Sequence, residues 1–314
     1  MSTGSESASP FSSSTIKQEL PPPEFSIQPN FKAHGERLPA EKSMLSLIRC
    51  IGELAVSDWD EVQGILQCRS REKVGVDIRP IFVKPAVMLT KHAVWSLQQL
   101  LYWWIDDQKR TFAETNWKTF SQQTLLGIGA AVDTGVSSAF DNSSMPSNGI
   151  DSSISTNDQD TPIPHVVLSF QIYRGAPLCD ALTFYSLLVD ALVLMAEQPY
   201  RLPYAYNQIV DHDAKVTLEW GATSEEAAKE GKLLAGMAVE ALIILADSMG
   251  EQPPKQKFLL TNASIRLKDG GAIVGRVNFV NNVDNALNIE GFPVNTTNSR
   301  GDYQVSRRGK ISQP

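Results

Sequence analysis

Cysteine is scarce in this chain: three in 314 residues, Cys50, Cys68 and Cys179, with no CxxC and no close pair. That scarcity excludes a disulfide-rich secreted scaffold and a cysteine-based zinc site, and it predicts buried free thiols in a reducing compartment. The four histidines, His34, His92, His165 and His212, are too scattered to add a metal centre by spacing. The charge balance of −7 lacks the clustered basic face of a nucleic-acid binder; the short run Arg307-Arg308-Gly-Lys310 reads as a solvated basic end. No basic start followed by an apolar stretch opens the chain, so no secretory signal is expected and an intracellular location is. Without such a signal, Asn142-Ser-Ser, Asn262-Ala-Ser and Asn295-Thr-Thr are chance matches to the glycosylation pattern.

Catalytic motifs are missing too. Gly127-Ile-Gly129 is too short for a dinucleotide fingerprint, no P-loop Lys-Ser/Thr follows it, and no Gly-x-Ser-x-Gly elbow occurs. No cofactor is called for. The long apolar run from Leu178 to Gln198 approaches a bilayer's thickness, but Asp180, Asp190 and Glu197 interrupt it. Leu178, Leu182, Tyr185, Val189, Leu192 and Ala196 recur at helical spacing, so the run predicts a helix pressed on a sheet and no membrane span.

What is present divides the chain into five parts. Residues 1–23 are Ser/Pro-rich and predict a disordered arm, 133–163 a low-complexity linker, and 281–314 a mostly disordered polar tail. In the arm, Ile16-Lys17-Gln18-Glu19 resembles the sumoylation consensus and Ser9-Pro10 a proline-directed phosphorylation site, which marks Lys17 and Ser9 as modification candidates. Between these segments lie two α+β blocks, 24–132 and 164–280.

The second block reads as a strand at 165–173, a helix at 178–198, short strands at 206–210 and 214–220, and one long helix from Thr223 to Met249. Strands at 256–267 and 272–280 then flank Lys268-Asp269-Gly270-Gly271, a hairpin signal.

The first block echoes it in order. Phe25-Ser-Ile-Gln28 answers Leu168-Ser-Phe-Gln171, Ser46-Leu47-Ile48 answers Ser186-Leu187-Leu188, and Gln63–Gln67 answers Tyr206–Val210. Lys73 to Ile78 answers Lys215 to Trp220, Phe112 to Asn116 answers Phe258 to Asn262, and Leu126-Gly127 answers Val274-Gly275. The offset is 140 at Ser46 and 148 at Leu126, a drift of about eight residues that loops absorb.

The predicted fold is therefore a tandem duplication of a ferredoxin-like, split βαβ plait. Each copy has an extra C-terminal strand, and its helices lie on one face of a mostly antiparallel sheet. The copies are expected to pack sheet edge to edge or face to face.

The candidate residues are few. Trp95, Tyr102, Trp103 and Trp104 put aromatic bulk on more than one side of a helix, as core or as interface anchors. Asp106 and Asp107, a carboxylate pair at a helix end, are of a type to bind a cation or exchange a proton, or, as such pairs more often do, to form a solvated terminus. Asp211-His212-Asp213, a histidine between acids, has the make-up of a proton shuttle or of an ordinary polar turn. The leading expectation is a non-catalytic interaction or scaffold protein that binds a protein partner or itself. The alternative is a small-molecule-binding protein or enzyme with a pocket between the repeats, resembling a fused dimeric α+β barrel.

Overall fold

A computed structural model describes residues 19–69, 74–81, 87–134, 164–172, 179–251, 261–268 and 271–281. The first half runs β1 (Phe25–Phe31), α1 (Ala40–Leu54), β2 (Leu66–Arg69), β3 (Val74–Pro80), α2 (Thr90–Tyr102), β4 (Thr115–Ser121) and β5 (Thr124–Asp133). The second runs β6 (Val166–Ile172), α3 (Ala181–Ala196), β7 (Tyr206–Asp211), β8 (Val216–Ala222), a short α4 (Glu225–Lys229), α5 (Ala235–Glu251), β9 (Thr261–Leu267) and β10 (Ile273–Asn281).

Each half forms one five-stranded antiparallel sheet, β1-β4-β5-β3-β2 and β6-β9-β10-β8-β7. The two orders are the same. They differ from the predicted plait, in which the first strand lies between the third and fourth. Here the fifth strand takes that slot and the first moves outside. Two local causes act in the first half. Pro29 lies in β1 and lacks an N–H, which suits an edge strand with a single partner. Meanwhile β4 and β5 close a two-residue turn with Gln122 and Gln123 both at positive φ (48° and 65°), as a tight hairpin requires.

The halves meet through their helices. Helices α1 and α2 lie on the inner face of the first sheet, α3 and α5 on that of the second, and α1 packs on α3 and α5. The order of layers is sheet, helices, helices, sheet, which corrects the expected sheet-to-sheet packing. It also explains the apolar run. Every residue from Phe184 to Ala196 is buried, because α3 is covered by its own sheet on one side and by α1 on the other. No helix among the described residues is long and apolar enough to cross a membrane.

Three further expectations need correction. The long helix from Thr223 is two. Ser224 caps α4 (Ala227 N–H to Ser224 Oγ, 3.1 Å), and Gly231 at φ +65° ends it. The amides of Gly231 and Lys232 return to the carbonyls of Ala228 and Ala227, the paired bonds of a Schellman stop. The second concerns Gln63–Gln67, which is not one strand. Val62 and Gln63 pair with Leu89 and Met88, and β2 starts only at Leu66. The match to the second half is therefore carried by Gln67, which opposes Asp77 as Gln208 opposes Glu219.

The third concerns the thiols. Cys50 of α1 and Cys68 of β2 form a disulfide, with Cα atoms 5.5 Å apart. Cysteine usage therefore no longer argues for a reducing compartment. Closing a loop of this length stabilises by about 3 kcal/mol in the chain-entropy picture. Reduction, or Cys68→Ser, is expected to lower the unfolding free energy by about 2–4 kcal/mol in urea titrations.

Candidate functional site

The seam between the halves carries the most organised polar group. Gln98 and Tyr102 stand four apart on α2 and so share a face. Both reach Asp190 in the middle of α3: Gln98 Nε2 donates at 2.9 Å and Tyr102 OH at 2.5 Å, both to Oδ1. A carboxylate this deep (6% exposed) is tolerated only with such donors. Beside it, Arg49 of α1 donates to Asp247 of α5 at 2.8 Å. Gly52 of α1 faces Ile243 of α5 so closely that a Cβ would stand 2.4 Å from Ile243 Cδ1.

A cleft of about 50 Å³ opens at one end of this seam, lined by Tyr102, Asp106, Arg110, Asp180, Thr183 and Ser186 among others. Small-molecule pockets span about 300–1,000 Å³; this one has room for water. Arg110 and Asp180 approach to 3.9 Å across it, a pair exposed enough to contribute little.

The predicted aromatic anchors separate. Trp95 is 1% exposed and meets Phe25 and Trp59 edge-on at 5.3 and 5.7 Å. A π-helical turn, Trp103–Asp107, follows α2, with Gln108 N–H bonded to the Trp103 carbonyl. The wider turn lets two adjacent tryptophans pack apart: Trp103 on Phe31, Trp104 on Phe112 with its Nε1 donating to Thr115 Oγ1 at 3.0 Å. The ring partners of all three tryptophans belong to the first half, whereas Tyr102 bonds to the second.

Asp106 and Asp107 are exposed, and Asp106 rims the cleft. Asp211 is buried and accepts from the amides of Asp213 and Ala214 at 3.0 and 2.9 Å, fixing the β7–β8 turn, while His212 and Asp213 are exposed at its tip. Among the described residues no three His, Cys, Asp or Glu side chains group as metal ligands. Burial, then the charges of Asp180 and Asp211, push the Cys179 thiol up to about 12, which makes it a poor nucleophile. Ser9 and Lys17 lie outside the described residues, as do the sequons at Asn142 and Asn295 and the basic run at 307–310.

A second polar group escapes the sequence reading. Glu19, the acidic position of the sumoylation-like motif, lies across the seam. Its carboxylate accepts from Trp59 Nε1 at 2.8 Å and Lys91 Nζ at 3.4 Å, and its amide donates to Glu197 at 3.1 Å. Lys91 is also bound by Asp60 at 2.6 Å. Next to Lys91, His92 takes the Leu89 amide on Nδ1 at 3.1 Å; burial, then the Lys91 charge, hold it down at about 4, so it stays neutral. The trace this group leaves in the sequence is an acid, Glu197, at the end of an apolar run.

Burial, with a smaller contribution from the Glu19 charge, raises Glu197 to about 7, against the bond from the Glu19 amide. The folded state therefore holds this proton more tightly than the unfolded chain, whose value is 4.5. The resulting stabilisation is full below 4.5 and is lost as pH rises through about 7. Glu197→Gln is expected to remove that slope, so the wild-type minus variant difference in urea midpoint falls steadily between about pH 5 and 8. A pH-independent difference would contradict it.

Compared with models of protein families, with curated proteins and with solved structures, the chain gives no match.

Proposed function

We propose that the chain is a non-catalytic interaction or scaffold protein built from two copies of one α+β unit. The duplication is supported by the shared strand order and by the ladders, where Asp77 faces Ala130 as Glu219 faces Asn278. The unit is related to the split βαβ plait: its third and fourth strands flank one antiparallel strand, here the fifth rather than the first. Four residues beyond the matched serines Ser46 and Ser186 stand Cys50 and Asp190. The first copy uses that position for a staple within itself, to Cys68, and the second for a bond to the other copy.

The observation that carries the scaffold reading is the closed seam. Among the described residues, packed helices and the Asp190 group occupy the seam between the two copies, and the cleft at its end is about 50 Å³. What faces outward is sheet. Ile128 is exposed beside Arg79 and Lys118 in the first, and Val167 and Tyr206 are exposed in the second. These outer sheet faces are the surfaces the reading assigns to protein contact.

Sedimentation and cross-linking of the full chain test this. The reading expects self-association or partner cross-links that map to the sheets and weaken in Ile128→Asp or Tyr206→Asp. Saturable one-to-one binding of a small molecule at the seam, with neither outcome at the sheets, would overturn it. An intracellular location requires the disulfide to withstand cytosolic thiols. Trapping thiols on protein from its native cells decides this: one alkylated cysteine, Cys179, means the bond is kept, and three mean it is not.

A further inference from the structure

The Glu19 contacts have the make-up of a ligand site more than of a structural strut. The receiving groups also have contacts of their own, apart from the arm. The Lys91 amide bonds to the Trp59 carbonyl at 3.1 Å and the Thr90 amide to the Glu61 carbonyl at 2.9 Å, which ties the loop after α1 to the first turn of α2. The Trp59 ring rests edge-on against buried Trp95, and Asp60 holds Lys91. The indole N–H and the ammonium thus point at one carboxylate position without help from the arm.

The third group comes from the other half. Glu197 is the C-cap residue of α3, an acid at the negative end of a helix and partly buried. Both circumstances disfavour its charge, and an incoming backbone N–H offsets them. Side chains beyond Glu19 add little: Leu20 is 68% exposed, and Glu19 itself is half exposed in its side chain. The site reads one acidic residue through its carboxylate and its own amide, and a half-exposed occupant can be exchanged.

We propose that Trp59, Lys91 and Glu197 form a recognition site for an acidic residue in an extended peptide, filled in the resting chain by Glu19 and opened to a partner's glutamate when the arm leaves. This goes beyond the scaffold reading by naming a site and the chemistry of its partner, and it does not depend on the outer sheet faces.

The probe is a fluorescent peptide of residues 16–23, Ile-Lys-Gln-Glu-Leu-Pro-Pro-Pro, titrated by anisotropy against the full chain and its variants. A tethered competitor acts at an effective concentration on the order of millimolar. Removing its carboxylate with Glu19→Ala is therefore expected to tighten peptide binding by about ten-fold or more. Adding Lys91→Met or, as a milder change that keeps an aromatic ring, Trp59→Phe should reverse most of that gain. A peptide with Gln in place of Glu should bind neither protein. Equal affinity of wild type and Glu19→Ala, absence of binding to both, or equal binding of the Gln peptide would each overturn the proposal. A failure here with sheet-mapped cross-links intact leaves the scaffold reading standing, so the two are separable.

Discussion

Asp190→Ala is expected to lower the unfolding free energy by about 2–5 kcal/mol, one of the two strongest effects in this molecule. Leaving a buried polar group without its partner costs about 1–3 kcal/mol, and the variant strands two, the Gln98 amide (8% exposed) and the Tyr102 hydroxyl. Tyr102→Phe should cost about 0.5–1.5 kcal/mol, the loss of one hydrogen bond. Asp190→Asn keeps an acceptor and should cost less than Ala. The informative variant is the triple Asp190→Leu, Gln98→Leu, Tyr102→Phe. Replacing an entire buried polar group by apolar residues is often nearly neutral, whereas breaking it in part is not. If the triple variant is as unstable as Asp190→Ala, the group does not act as the unit described here.

Gly129→Ala is expected to cost about 3 kcal/mol or more, although it adds a single methyl group. Gly129 faces Trp117 across the β4–β5 ladder, and a Cβ there would stand 2.1 Å from the indole Cε2 and Cζ2. Trp117 is 1% exposed and belongs to the continuous core, so its ring has no room to withdraw. The clash is removed only by displacing a buried tryptophan, whose truncation alone costs about 3–5 kcal/mol. In Gly129→Ala/Trp117→Leu the two losses should overlap and sum to clearly less than the separate values. Full additivity in chemical denaturation would show that ring and glycine do not compete for one space.

Much of the local structure is legible in the sequence because it is local. Strand alternation, the helical nature of the apolar run at α3 and the hairpin signals at Asp211-His212-Asp213 and near Gly271 all depend on neighbours in sequence, although α3 is buried all round and not along one stripe. The likeness of the halves is legible for the same reason, and Asp77 and Glu219 do occupy matching ladder positions.

Pairing at a distance is not legible in this way. No periodicity says that β5 rather than β1 fills the centre of the sheet, although Pro29 hints at an edge. Cys50 and Cys68 are 18 residues apart and look unrelated until α1 crosses β2. Gly127-Ile-Gly129 invites comparison with phosphate-binding loops, whereas Gly129 makes room for an indole. At the seam, Asp190 is visible as an interruption in an apolar run, which demands a buried partner without naming Gln98 or Tyr102. The Glu19 site shows in the sequence only as Glu197 closing an apolar run, because its three walls come from a loop, the start of α2 and the end of α3.

The two sheet-and-helix halves are held together by their helix layers, and the rest depends on that. A protease site placed in the segment 135–163, cut in the full chain and followed by size-exclusion chromatography at low concentration, tests it most directly. The two fragments should elute together as one particle and separate only in denaturant, with Asp190→Ala weakening the association. Fragments that part on cutting and remain folded as independent monomers would contradict the account.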